Sequence, residues 1–279
     1  MEYLKLNQGK EMPLVGFGTF LLNGTECENA VINAIKNGYR LIDTAEAYGN
    51  EKEVGNAIKK SGIAREELYI VTKLNYKNYE KESAIKTLEQ SLENLQTDYI
   101  DLVLLHWPFA NYYEAYRVLE DFYKNGKIKA IGVSNFEPDR IIDLAHYNEI
   151  KPAINQIETN IVNQQIEANE WLTKYDIAQM GYAPFGQGKI NEIYDNDALN
   201  NIAKKYNKTP RQIVLRYFTQ RNIAVIPKTT DIEKMKENIN IFDFKLTTDE
   251  MKKIKELNKN TPIVGSSENP NLIEMSFDW

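Results

Sequence analysis

Cysteine is nearly absent from this sequence: Cys27 stands alone among 279 residues, so no internal disulfide can form. Histidine is almost as scarce, and His106, His146 and one cysteine cannot make a ligand set at zinc spacing. No metal is expected, since no carboxylate motif supports a Mg²⁺ site either. Long apolar runs are missing too. The most apolar stretch, Leu102–Leu105, follows Asp101 and falls far short of the ~18 residues of a membrane span. No basic run occurs, and 34 Lys and Arg stand against 40 Asp and Glu, a formal charge of −6. That balance lacks the cationic excess on which phosphate-backbone binding draws, so neither nucleic acid nor membrane is an expected partner. Met1 to Lys10 alternates polar and apolar residues without an apolar leader core, and the expected location is the cytoplasm.

What is present is alternation. Short apolar, β-branched-rich runs predict strands at Leu14–Phe17, Arg40–Asp43, Leu68–Lys73, Ile100–His106, Ala130–Ser134, Ala153–Glu158, Ala178–Tyr182 and Ile223–Pro227. Between them lie stretches of helical spacing such as Thr25–Asn37, Tyr79–Leu95, Tyr112–Asn125 and Ile166–Tyr175. Thr209 and Pro210 read as an N-cap and a first-turn proline before Arg211. With no linker or composition break, the repeats predict one α/β domain over 1–279, a (β/α)₈ TIM barrel. A doubly wound sheet would carry a glycine fingerprint after its first strand. Here Gly16-Phe17-Gly18 is followed by Leu21 where the third glycine belongs, so these glycines read as relief of crowding in a barrel strand. Upstream, Tyr3–Leu6 and Met12–Val15 flank Asn7-Gln8-Gly9-Lys10, which predicts a β-hairpin closing the barrel floor.

In such a barrel, chemistry belongs at the carboxyl ends of the strands. The second predicted strand ends in Asp43, the third in Lys73 and the fourth in His106, while Tyr48 lies in the loop after Asp43. Each has an ordinary structural reading: a helix-capping Asp, a snorkelling Lys, a hydrogen-bonded core His and a packed Tyr. Together, a carboxylate, an ammonium, an imidazole and a phenol at one level form a coherent acid catalyst. Asp43 would keep Lys73 charged, Lys73 would lower the Tyr48 pKa from ~10, and His106 could donate to a carbonyl oxygen.

The segments Gly16-Phe17-Gly18-Thr19, Asp43-Thr44-Ala45, Tyr48-Gly49-Asn50-Glu51, Thr72-Lys73, Leu104-Leu105-His106-Trp107-Pro108, Gly132-Val133-Ser134-Asn135-Phe136 and Ile226-Pro227-Lys228, in this order, resemble the aldo-keto reductase family. The resemblance covers essentially the whole chain and implies NAD(P)H-dependent reduction of an aldehyde or ketone, with Asp43, Tyr48, Lys73 and His106 as the catalytic tetrad. It implies that Tyr48 is the general acid, tuned by Lys73 and Asp43, and that His106 orients the carbonyl.

The resemblance also implies a cofactor set. Ser134, Asn135 and Gln156 would hold the carboxamide of the nicotinamide and Tyr182 would stack on its ring, with Thr19, Phe185 and Gln187 beside the dinucleotide. Ala183 and Phe185 depart from the usual Ser and Leu. At the adenosine end stand Lys228, Thr229, Thr230, Glu237 and Asn238, with Lys234 where the family often has an Arg on the ribose 2′-phosphate. Lysine keeps the charge but loses the bidentate fork, so NADPH is the expected cofactor and NADH remains usable. Phe20 and Trp107, with Tyr48 and His106, would line an apolar substrate mouth. The loop after His106 and the tail after Asn260 are short, which favours an open site.

Two functions of different kinds are compatible with this outline. One is a carbonyl reductase of broad specificity, resembling small bacterial members that act on methylglyoxal-like aldehydes or keto acids. The other is a cofactor-binding barrel without catalysis. The complete tetrad favours the first, because mere binding has no use for it; the same residues would also serve alcohol oxidation. No heptad or exposed apolar stripe is evident, so a monomer acting on a small-molecule carbonyl is expected.

Overall fold

In the computed structural model, which describes residues 1–9 and 11–278, the predicted strands form one parallel sheet that rolls up on itself. A two-stranded antiparallel hairpin, β1 (Tyr3–Lys5) and β2 (Glu11–Pro13), precedes it. The sheet strands are β3 (Gly16–Gly18), β4 (Leu41–Asp43), β5 (Tyr69–Leu74), β6 (Leu102–Leu105), β7 (Ile131–Ser134), β8 (Ile154–Glu158), β9 (Ala178–Tyr182) and β10 (Ile223–Val225), each paired with its sequence neighbour. A parallel bridge between Val15 and Val225 joins the first of these to the last and closes the barrel. Lys10 of the predicted hairpin turn, and Trp279, lie outside the described residues.

Helices follow the strands: α1 (Gly24–Lys36), α2 (Glu51–Ser61), α3 (Lys81–Asn94), α4 (Tyr112–Lys124), α5 (Pro138–Tyr147), α6 (Ile166–Lys174), then α7 (Asp197–Tyr206) and α8 (Pro210–Gln220) before β10. After the barrel come α9 (Ile232–Ile239), α10 (Thr248–Lys255) and α11 (Pro270–Ser276). Thr209 caps α8 as expected, with Gln212 completing a reciprocal capping box.

Strand alternation sorts the apolar residues into two layers. Leu14, Leu41, Val71, Leu102, Leu104, Ile154, Met180, Ala224 and Ile226 fill the barrel interior. Ile42, Ile70, Val103, Val133 and Val225 point outward and pack with the helices. Gly16 belongs to the inward series because nothing larger fits. A Cβ there would lie 2.1 Å from Leu41 Cδ2 and 2.9 Å from Ile226 Cγ2, which is the crowding its sequence suggested.

The hairpin seals the amino-terminal end of the barrel with Leu6 and Met12, which join the interior cluster. Polar side chains hold it in place. Asn7 Nδ2 donates to Pro152 O (2.9 Å) and Asp176 O (2.8 Å), just upstream of β8 and β9. Gln8 donates to Lys151 O (2.9 Å) and accepts from Ile131 N–H (3.0 Å), at the start of β7. Met12→Ala should leave a cavity against the lowest interior layer and destabilise the protein by about 2–5 kcal/mol, read as a lowered urea midpoint at unchanged slope.

Candidate active site

The inward-facing series changes character at the carboxyl ends of the strands. The alternation that turns Leu41, Val71 and Leu104 into the barrel places Asp43, Lys73 and His106 on the same side two residues later. On β7, β8 and β9 the same rule lifts Ser134, Gln156 and Tyr182 above Gly132, Ile154 and Met180. The apolar interior thus ends beneath a polar layer, and the residues read as a tetrad sit at its centre.

Lys73 Nζ donates to Asp43 Oδ1 at 2.7 Å and to Thr44 O at 2.9 Å, and lies 3.5 Å from the Tyr48 hydroxyl. Both members of the ion pair are buried, with side chains only 1% and 3% exposed. The other carboxylate oxygen of Asp43 accepts from Gln156 Nε2 at 2.6 Å, a link across the barrel that no sequence motif announced. Tyr48 approaches from outside the sheet on a short 3₁₀ turn, Glu46–Tyr48. That turn is pinned at both ends. Glu46 accepts from Asn75 N–H and Asn78 Nδ2, both at 2.9 Å. Asn50 accepts from Thr44 Oγ1 (2.6 Å) and donates to the carbonyls of Thr19 (2.9 Å) and Leu22 (2.8 Å). The Tyr48 and His106 rings meet edge to face at 5.9 Å.

Burial governs the charges here. Desolvation raises the Tyr48 pKa above its ordinary value, and although Lys73 pulls it down as the sequence suggested, the net direction is upward. The expectation of a lowered phenol pKa is therefore corrected: water is excluded more strongly than the ammonium attracts. Burial also disfavours the charged form of Lys73, but Asp43 and Tyr48 outweigh it and the ammonium is retained. His106 is pushed down to about 3 by desolvation and by the nearby Lys73 charge, so its imidazole is neutral.

The residues expected to hold a dinucleotide are distributed along one arc. Asn135, in the left-handed conformation (φ 62°), accepts from the Tyr182 hydroxyl at 2.8 Å and donates to His106 O at 3.0 Å. Ser134 Oγ donates to Gln156 O at 2.8 Å, and Thr19 Oγ1 to Asp43 O at 3.0 Å. These hydroxyls and amides beside the Tyr182 ring suit a neutral carboxamide on an aromatic ring. Further round, Lys228, Thr230 and Lys234 are exposed, Thr229 is half-buried, and neither lysine enters an ion pair among the described residues. Two uncommitted cations beyond β10 suit phosphates, so the residues present fit a nicotinamide dinucleotide phosphate.

Other members of the set are engaged elsewhere. The Phe185 ring packs edge to face on Tyr194 at 6.2 Å and beneath Arg211, in the outer layer, and Gln187 is exposed. Glu237 accepts from Thr209 Oγ1 at 2.6 Å, and Asn238 is buried. Asp231 caps α9 by accepting from the N–H groups of Glu233 and Lys234.

At the mouth, Phe20 lies exposed against the Tyr48 ring at 5.0 Å, and Trp107 stacks on Phe109 at 5.4 Å and on His106 at 6.3 Å. The tail does more than its length suggested. The buried Glu158 carboxylate accepts from Ile263 N–H and Val264 N–H at 2.8 Å each and from Asn160 Nδ2. Ser267 Oγ donates to Asn135 O at 2.8 Å, and the Tyr76 hydroxyl donates to Ser276 O. The tail therefore crosses from β8 to the loop after β5, and its Pro262 and Ser267 line a half-open cavity of about 660 Å³ together with Asn135, Glu158 and Tyr182.

A neutral His106 makes stability depend on pH. The unfolded chain takes up a proton on this imidazole below its ordinary value of 6.5, whereas the folded chain does so only near 3, so stability is lost as pH falls through that window. His106→Gln should flatten the dependence: between about pH 7 and about pH 4.5 its urea midpoint falls less than that of the wild type.

Comparison with known proteins agrees with this geometry. The model of the Aldo/keto reductase family matches residues 14–259. The chain is 42% identical to glyoxal reductase of Bacillus subtilis over 276 residues, covering 98% of this chain and 97% of that one. Among solved structures it is similar to MGS-M4, an aldo-keto reductase enzyme from a Medee basin deep-sea metagenome library, with a TM-score of 0.92, 41% identity and coverage of 95% and 98%. It is likewise similar to a Bombyx mori aldo-keto reductase in complex with NADP, with a TM-score of 0.90, 35% identity and 96% of each chain covered. A barrel with the polar layer described above, matched over nearly its whole length by these proteins, belongs to the aldo/keto reductase family.

Proposed function

We propose that this protein reduces small aldehydes and ketones to alcohols with NADPH, and that Asp43, Tyr48, Lys73 and His106 carry the chemistry. The observation that supports this most directly is the chain of contacts from Asp43 through Lys73 to the Tyr48 hydroxyl, beside a neutral His106. The relatives agree in kind, one being named for glyoxal reduction and another holding NADP.

Ser134, Asn135, Gln156 and Tyr182 would hold the nicotinamide end, and Lys228 and Lys234 the phosphates. The cofactor supplies a hydride to the carbonyl carbon when bound. The protein's own part is to place the carbonyl oxygen and give it a proton. The raised Tyr48 pKa keeps the phenol protonated at rest, which a proton donor requires. As the proton leaves, the phenolate is stabilised by Lys73, itself kept charged by Asp43. Neutral His106 offers an N–H to the same oxygen without placing a second positive charge near Lys73. Proton and hydride together complete the alcohol, and Tyr48 recovers its proton from solvent at the mouth.

Wild-type protein should consume NADPH in the presence of glyoxal, followed by absorbance. Tyr48→Phe should lose about 10²- to 10⁴-fold in kcat while retaining NADPH binding. Absence of wild-type turnover over an aldehyde panel, despite tight NADPH binding, would sink the reductase reading. Lys234→Ala should weaken NADPH binding about fivefold, the worth of an exposed charge pair, and leave NADH binding unchanged in titrations of protein fluorescence.

A further inference from the structure

His106 lacks a feature that usually aims a working imidazole. Its Nδ1 is buried and has no hydrogen-bond partner among the described residues, so none of their carboxylates or carbonyls fixes the ring through its second nitrogen. The ring is instead aimed by its backbone and by the Trp107 and Tyr48 rings on either side. The His106 peptide is held by the ladder, through His106 N–H to Leu74 O (3.0 Å) and Asn135 Nδ2 to His106 O (3.0 Å). One residue later the ladder ends. Trp107 donates its N–H to the Tyr79 hydroxyl at 3.2 Å, and the same hydroxyl donates to Trp107 O at 2.8 Å.

A single phenol oxygen thus closes both backbone groups of the residue that follows His106. Tyr79 is 1% exposed, just after the 3₁₀ turn Tyr76–Asn78, and its ring is locked among core residues. It does not touch the reacting atoms. We propose that Tyr79 is a positioning residue: its hydroxyl fixes the backbone at Trp107, and so holds the His106 imidazole and the Trp107 ring in register with the Tyr48 hydroxyl. The proposal rests on the reductase reading, in which His106 orients the carbonyl. It assigns a catalytic consequence to a side chain that otherwise reads as core.

The test uses Tyr79→Phe in the full chain, which keeps the ring and removes only the oxygen. Tyr116→Phe is the control: that hydroxyl is also buried and also donates to a backbone carbonyl, Ile150 O at 2.9 Å, away from the strand end. Both variants and the wild type are assayed with glyoxal and NADPH, titrated with NADPH by fluorescence, melted thermally, and labelled with ¹⁵N-histidine. With only two histidines in the chain, the His106 imidazole signals are readily assigned.

Tyr79→Phe is expected to lower kcat about tenfold, about 1.4 kcal/mol of barrel-imposed alignment, with NADPH affinity unchanged and a melting temperature like that of Tyr116→Phe. Its His106 signals should broaden or double in the NADPH-free protein while those of Tyr116→Phe match the wild type. Equal kcat and identical His106 signals in the two variants overturn the proposal. If the wild type turns over no carbonyl, the reductase reading fails, and unaltered His106 signals in Tyr79→Phe then overturn the positioning role separately.

Discussion

The buried pair of Lys73 and Asp43 is the constraint around which the upper half of this barrel is arranged. Two opposite charges taken out of water are tolerated only if their remaining hydrogen-bonding capacity is met, and removing one partner from such a pair costs about 3–5 kcal/mol. Here Thr44 O and Tyr48 complete the ammonium, and Gln156 completes the carboxylate from the far side of the barrel. Satisfying the pair therefore fixes β4, β5 and β8 relative to one another. It also places the Tyr48 hydroxyl and the Gln156 amide in one buried network. The geometry proposed for catalysis is the one that buries the charges.

That coincidence explains why so much of the site was legible in the sequence. A period-2 series that runs Leu41-x-Asp43, Val71-x-Lys73 and Leu104-x-His106 states both that the strands face inward and where the interior turns polar. Strand ends are the places where pattern and chemistry coincide, so the fold and the candidate site were read together. The glycines of β3 and the Thr209 cap were equally readable, because each is a local answer to a local steric or hydrogen-bonding demand.

What escaped was non-local. The Gln156–Asp43 bond spans 113 residues, and the attachment of Ile263 and Val264 to Glu158 spans 105 and 106. Polar contacts of this kind leave no periodicity in a chain. The direction of the Tyr48 shift was missed because proximity to Lys73 is visible in a motif while loss of solvent is not. The packing of Phe185 was illegible for a related reason: a turn residue's ring can be thrown to either layer, and here it lies against Tyr194 and Arg211.

The floor hairpin also bears on how the chain assembles. Its anchors, Asn7 and Gln8, bond to backbone that lies up to 169 residues further along, and the Val15–Val225 bridge needs the last strand. During synthesis the hairpin has no anchoring backbone until the segments leading into β7, β8 and β9 exist. Closure joins Val15 to Val225, and contacts of such long separation slow folding. The same few side chains that cap the finished barrel thus tie its closure to strands made much later.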